Sequence, residues 1–169
     1  MTQLEQSLAA ANTALSYAKE GGSITILNPA PAQPLGENIL NLCDFVTPNE
    51  IEAEQITGIP VKSVSDAEVA ADKLLEKGAS AAVITLGEQG ALFKDSKQII
   101  HQPSFQVGPI VETTGAGDAF NGGLAVALAE EMPIDKALRF ACATASISVT
   151  RPGTAPSMPD RNEIDTLLT

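Results

Sequence analysis

Apolar residues between positions 4 and 20 recur at helical spacing, with Leu4, Leu8, Ala11 and Leu15 on one face and Gly21-Gly22 beyond. That pattern predicts an amphipathic helix closed by glycine. Residues 23–27 form a short apolar run, Ser-Ile-Thr-Ile-Leu, and read as a buried strand broken by Asn28-Pro29-Ala30-Pro31. A second strand is expected at 43–46. Thr47 then reads as a helix cap, with Pro48 in the first position and Glu50 completing a capping box, and the helix should run to Thr57 before Gly58. Ser65 and Glu68 form a second capping box, opening a helix that ends near Lys77-Gly78.

The pattern then shortens. Residues 81–85 are continuously apolar and predict a buried strand, followed by a turn at Gly87-Glu88-Gln89-Gly90. Residues 91–93 and 98–100 flank the polar segment 94–97 and suggest a hairpin. Gly115 to Gly117 opens a strongly apolar helix that reaches about Glu130. Pro133 starts another, with Ile134, Ala137, Leu138, Ala141 and Ala145 on its face, and a polar loop at 151–156 precedes a last short helix near Asp160. Near-continuous apolar strands alternating with helices indicate a layered α/β sheet. Residues 1–169 read as one domain, without repeats or low-complexity stretches.

Charge narrows the chemistry. Ten Lys+Arg against 21 Asp+Glu give a formal charge of −11, which disfavours a nucleic-acid partner because phosphate binding wants a dense basic face. No apolar run suits a membrane span, and the first twenty residues lack a secretory pattern, so the cytoplasm is the expected compartment. One histidine, His101, and two scattered cysteines, Cys43 and Cys142, give little support to zinc sites or histidine triads; the cysteines read as two buried thiols, with a disulfide as the alternative. A site must therefore be built from carboxylates, hydroxyls and backbone groups.

The sharpest such feature is Glu112-Thr-Thr-Gly-Ala-Gly-Asp118. Small residues at a helix start leave backbone N–H groups without intrahelical partners, an arrangement that attracts anions. Asp118 falls in the first turn, where it is either an ordinary capping carboxylate or a general base beside an anion hole, the pairing phosphoryl transfer requires. No P-loop is present, and Phe120 stands where a dinucleotide fingerprint needs its third glycine. The turn at 85–90 follows an apolar strand, where open α/β sheets bind ligands, though an ordinary hairpin turn fits it as well. Asn49 and Glu52 lie one helical turn apart, either as a solvated face or as a site for hydrated Mg²⁺.

Taken together, Thr-Thr-Gly-Ala-Gly-Asp-Ala-Phe-Asn-Gly-Gly at 113–123 resembles the C-terminal signature of the ribokinase-like (phosphofructokinase-B type) sugar kinases. Asn49 and Glu52 resemble that family's N-x-x-E motif, and Val83-Ile-Thr-Leu-Gly87 its nucleotide strand and loop. Segments 28–32, 47–58 and 143–164 bring the chain closest to members that act on D-ribose. The resemblance implies a three-layer α/β/α, Rossmann-like fold and transfer of the γ-phosphate of MgATP to a sugar's primary hydroxyl, giving ribose 5-phosphate from D-ribose. It implies Asp118 as base and Gly115, Ala116 and Gly117 as anion hole. Thr85, Leu86, Gly87, Glu88, Gln89 and Gly90 would receive ATP, with Asn49 near its phosphates, Glu52 organising Mg²⁺ through water and Cys142 against adenine.

A monovalent cation, usually K⁺, is implied at Glu112, Thr114, Ser148, Arg151, Gly153 and Ser157, mostly through backbone carbonyls, with Glu112 replacing the family's usual aspartate. Family chains are nearly twice this length, so the resemblance also implies a domain truncated at its N-terminus. It would lack the β lid and the sugar clamp, and would belong to a homo-oligomer when full-length. Two alternatives stand beside this reading. One is an inert or nucleotide-binding-only fragment; the other is a sibling kinase for fructose, a deoxy-sugar or a nucleoside.

Overall fold

The computed structural model describes all 169 residues, residue 37 by its place in a helix alone. Backbone contacts divide the chain into two compact units, residues 1–86 with 92–101, and residues 87–91 with 102–169.

The first unit is built on a five-stranded sheet in the order β1-β2-β3-β4-β5: Ile26–Leu27, Phe45–Val46, Ala81–Thr85, Ala91–Asp95 and Ile99–Gln102. β1 pairs parallel with β2, Leu27 opposite Val46, and β2 pairs parallel with β3, Val46 opposite Ala82. The five-residue link from β3 to β4 and the three-residue link to β5 return the chain directly, making the sheet mixed. Helices α1 (Leu8–Glu20), α2 (Glu37–Leu40), α3 (Glu50–Thr57) and α4 (Val64–Glu76) complete this unit. Its core joins Leu15, Leu27, Leu40, Val46, Leu74 and Ile84, all but inaccessible to solvent. β3 is buried along almost its whole length, as its unbroken apolar run requires.

The second unit consists of a 3-10 turn at Gly87–Gln89, helices α5 (Ala116–Ala129), α6 (Ile134–Ser148) and α7 (Arg161–Leu168), and a second 3-10 turn at Ala155–Ser157. α5 buries Phe120, Leu124 and Ala127, and α6 buries Ala137, Leu138 and Ala141. The two helices touch closely at Gly123, where a Cβ would lie 3.1 Å from Ala141 Cα. Asp160 and Glu163 form a reciprocal capping box that starts α7.

Several element boundaries differ from expectation, each for a tertiary reason. α1 begins at Leu8 behind a Ser7 cap, so Leu4 is buried outside the helix, whereas Leu8 is exposed. Only Ile26 and Leu27 of the 23–27 run enter the sheet, because the Thr25 N–H donates to Asp44 Oδ2 at 2.8 Å rather than to a strand. Thr47 does not cap α3: its N–H donates to Leu27 O at 2.9 Å, and the Thr85 N–H donates to Pro48 O at 3.0 Å. Pairing to neighbouring strands keeps residues 47–48 extended and moves the cap to Asn49. α4 is likewise capped by Ser63, not Ser65. The Glu68 carboxylate, expected to close the Ser65 box, instead faces Lys94 Nζ at 3.6 Å. Lys94 lies buried within β4 rather than in a polar turn, with Asp72 as its nearer partner at 2.6 Å. The turn itself tightens to residues 96–98, where Asp95 Oδ1 accepts the N–H groups of Lys97 and Gln98.

Candidate functional site

The segment marked by its small residues forms a sharp bend ahead of α5. Gly115 occupies the N-cap with φ 85°, in the left-handed region, and no side chain caps the helix. Glycine is needed there because a side chain at positive φ would be strained. The Ala116 N–H donates to Thr113 O at 3.1 Å, and the Ala119 N–H to Gly115 O at 2.9 Å. The amides of Gly117 and Asp118 fall in the first turn, where a helix supplies no carbonyl of its own. Nothing lies within 4 Å of a Cβ placed on Gly117, so the bend is open on that side. Asn121, buried in the next turn, donates from Nδ2 to Gly117 O at 2.9 Å and stiffens this opening.

Asp118 is exposed in the first turn of α5 and borders a cavity of about 340 Å³, with Gly122, Val126, Phe140 and Met158 among its walls. Ala116 and Thr113 border a different cavity, of about 320 Å³, closed by Gly87 and Glu88 on one side and by Phe105, Val107 and Val149 on another. This second cavity is mostly apolar, with Ser146 and Glu88 among its polar elements. Its shape depends on Gly90 at φ 92°, whose missing side chain lets the backbone of 102–104 cross; a Cβ added there would stand 2.7 Å from Pro103 C. Ser104 Oγ donates to Glu88 O at 2.6 Å, and the Phe105 N–H donates to Ser146 Oγ at 3.1 Å, fixing the loop on both sides.

Of the residues expected to receive ATP, Gly87 and Glu88 therefore border a cavity. Gln89 closes the same 3-10 turn, and Gly90 shapes the loop. Cys142 is buried on α6, its Sγ 3.8 Å from Gln102 O, and burial pushes its thiol up to about 12. Both cysteines are free thiols, as expected.

Thr85, Leu86, Asn49 and Glu52 belong to the first unit. Asn49 and Thr85 form a parallel bridge, so this polar pair and the end of β3 are neighbours. Asn49 and Glu52 cap α3 reciprocally. Asn49 Oδ1 accepts the Glu52 N–H and Glu52 Oε2 accepts the Asn49 N–H, both at 2.9 Å. Burial raises the Glu52 carboxyl above its ordinary range, opposed by that Asn49 N–H and assisted by the nearby charge of Glu50.

Of the residues implied for a monovalent cation, Glu112, Thr114 and Gly153 come together. Glu112 Oε2 accepts the Gly153 N–H at 2.7 Å. That bond, with a second from Thr114, holds the Glu112 carboxyl below the usual range. Gly153 has φ 88°. The Arg151 N–H donates to Ser148 O at 3.3 Å, its guanidinium pairs with Glu163, and Ser157 Oγ donates to Thr154 O at 2.7 Å.

Segment 103–111 carried no expectation from its residues, yet it supplies Phe105, Val107 and Ile110 to the second cavity. The available signal was large apolar residues set among Gly and Pro; Ile110 and Val111 remain more than half exposed. No helix among the described residues is long and apolar enough to cross a membrane.

Comparison with known proteins places these features. The model of the pfkB family carbohydrate kinases matches residues 2–161. The chain is 43% identical over 165 residues to a ribokinase of Haemophilus influenzae, covering 96% of this chain and 53% of that protein. It is 38% identical to a deoxyribokinase of Salmonella typhi, covering 98% of this chain and 54% of that one. The chain thus spans about half the length of the curated relatives it matches. Among solved structures, Arabidopsis thaliana ribokinase complexed with ribose and ATP superposes with a TM-score of 0.95 at 31% identity, over 99% of this chain and 54% of that one. The fold class is accordingly the three-layer α/β/α of ribokinases. With the signature bend, the reciprocal Asn49–Glu52 cap and the mixed sheet all in place, the chain belongs to the pfkB family of carbohydrate kinases.

Proposed function

We propose that this chain carries the nucleotide-binding and catalytic half of a sugar kinase that moves the γ-phosphate of MgATP to the primary hydroxyl of D-ribose. The observation that carries the reading is the uncapped bend at Gly115, with Asp118 in the helix's first turn and bordering a cavity. Amides in a helix's first turn can take up the charge of a transferring phosphoryl group, and the helix dipole adds to them. Asp118 would accept the hydroxyl proton as the sugar oxygen attacks phosphorus and the bond to ADP breaks. The apolar cavity edged by Phe105, Val107 and Val149 suits a nucleobase, since flat aromatic ligands are held mainly by apolar walls. Gly87 to Gly90 would attend the ribose and phosphates of ATP. Ribose as the acceptor is supported by the identity to ribokinases, and 2-deoxyribose by the deoxyribokinase relative.

Magnesium fits through water. Among the described residues no three acidic, His or Cys side chains form a cage, and Glu52 already commits one oxygen to its own helix. A single half-engaged carboxylate suits an ion that keeps its hydration shell and offsets phosphate charge. The side-chain part of the K⁺ donor set fits as well: Glu112 Oε2 accepts the Gly153 amide, and ligating carboxylates are commonly hydrogen-bonded in this way.

A second reading, nucleotide binding without transfer, applies to these 169 residues assayed by themselves, which span about half of the relatives they match. Positioning of the acceptor can supply about 7–11 kcal/mol of a bimolecular barrier, and much of that would come from outside the matched half. Calorimetric titration with MgATP, beside an assay of sugar-dependent ADP release with ribose, 2-deoxyribose, fructose and a nucleoside, separates the two. Binding with ribose-dependent release supports the kinase reading. Binding without release supports the second, and no binding refutes both. Where release is seen, Asp118→Asn should lower it by about 10²–10⁴-fold while leaving ATP affinity intact.

A further inference from the structure

Ser146 of α6, 8% exposed, brings a buried hydroxyl to the wall of the mostly apolar cavity of about 320 Å³. A hydroxyl accepts hydrogen bonds at its lone pairs and donates one of its own. Ser146 Oγ accepts the Phe105 N–H at 3.1 Å, so its acceptor side is engaged. The neighbouring hydroxyls of α6 commit their protons to the helix itself: Thr144 Oγ1 donates to Phe140 O and Ser148 Oγ to Ala145 O, each at 2.8 Å. Thr150, just beyond, donates in the same way to Ile147 O at 2.7 Å. Ser146 makes no such bond, and among the described residues no acceptor takes its proton.

The partner of Ser146 is itself held. The Arg139 guanidinium lies over the Phe105 ring, 5.5 Å from its centroid, and Ser104 Oγ donates to Glu88 O at 2.6 Å. These contacts keep the Phe105 amide against Ser146 and fix which side of the oxygen is occupied. What remains is one donor on a wall that is otherwise apolar. A buried donor in such a place is costly until something supplies an acceptor.

We propose that Ser146 is a specificity-determining residue of this cavity, its O–H donating to a ring nitrogen of the purine seated there. The assignment rests on reading the cavity as the nucleobase site of MgATP. Phe105, Val107 and Val149 offer apolar surface that any flat ring can use. The hydroxyl adds a test of the ring's edge, because a site built to hydrogen-bond one atom rejects the analogue that lacks it.

Calorimetric titration tests this on the 169-residue chain and on Ser146→Ala. The ligands are MgATP, inorganic tripolyphosphate with Mg²⁺, and the deaza analogues of ATP in which N1, N3 or N7 is replaced by C–H. One analogue should bind wild type about 5–100-fold more weakly than ATP, since it leaves the buried donor unpaired. Ser146→Ala should weaken ATP by a similar factor, bind ATP and that analogue alike, and hold tripolyphosphate as wild type does. Comparing ligands within each protein cancels any shift of the Phe105 loop, which would weaken ATP and every analogue together. The proposal is overturned if wild type binds all the analogues as it binds ATP. It is equally overturned if Ser146→Ala still discriminates against the weak analogue, or if it loses tripolyphosphate as well, which would make the role purely structural. ATP binding without discrimination removes the Ser146 assignment alone and leaves the kinase reading standing. A wild-type chain that binds neither ATP nor tripolyphosphate refutes the kinase reading and the assignment with it.

Discussion

Adjacent glycines in α5 give a test of the α5–α6 contact in which local propensity cancels. Gly122 and Gly123 both lie inside the helix, where replacement by alanine should gain about 0.5–1 kcal/mol from the unfolded chain and from helix propensity. At Gly122 nothing lies within 4 Å of the added Cβ, so Gly122→Ala should stabilise by roughly that amount. At Gly123 the same methyl would stand 2.7 Å from Thr144 Oγ1, 3.0 Å from Thr144 Cβ and 3.1 Å from Ala141 Cα. Two of those atoms are backbone or its first branch and cannot swing aside. The hydroxyl is committed as well, donating to Phe140 O at 2.8 Å. Overpacking of this kind costs about 1–3 kcal/mol, which exceeds the propensity gain, so Gly123→Ala should be net destabilising. The difference between the two variants isolates the packing contribution, about 1–3 kcal/mol. Urea unfolding followed by far-UV circular dichroism measures it, with slopes compared to confirm that the unfolded states match. If Gly123→Ala proves as stable as Gly122→Ala, the two helices do not approach as described and the reasoning fails.

Other outcomes follow from the thiols, a cap and the β4 lysine. Burial pushes the Cys43 and Cys142 thiols up to about 12, so at pH 8 only about one in ten thousand is thiolate; neither should react with Ellman's reagent until denaturant is added, and fast native-state labelling of either would contradict its burial. The Ser63 hydroxyl, then the Lys62 amide, hold the Asp66 carboxyl below its ordinary 3.8. The native form therefore binds fewer protons than the unfolded chain, and the stabilisation is present above 3.8 and lost as pH falls through the native value. Asp66→Asn should be less stable than wild type near neutral pH and converge with it in acid, as paired unfolding curves would report. Lys94 is buried between Asp72 and Glu68; Asp72→Asn with Glu68→Gln, which strands the ammonium, should destabilise by about 3–5 kcal/mol at most, and adding Lys94→Met should recover most of it. A double variant as stable as wild type would show that solvent already serves this lysine.

Local sequence sets what each segment tends to become, and tertiary pairing decides where each begins. The continuous apolar run at 81–85, a last helix near Asp160 and the small residues at 115–117 were legible because helix period, strand period and glycine chemistry act over a few residues. The bend ahead of α5 could be read for the same reason: its small residues are consecutive. Thr47 and Asn49, or Ser65 and Ser63, are equally good caps by spacing. The pairing of Thr47 with Leu27 moves the first cap to Asn49, and the Ser63–Asp66 bonds close the second. Likewise nothing near Glu112 in sequence announces Gly153, and nothing in 103–111 announces a cavity wall. Such contacts join residues tens of positions apart, and their partners are set by chain topology, which a local pattern does not contain.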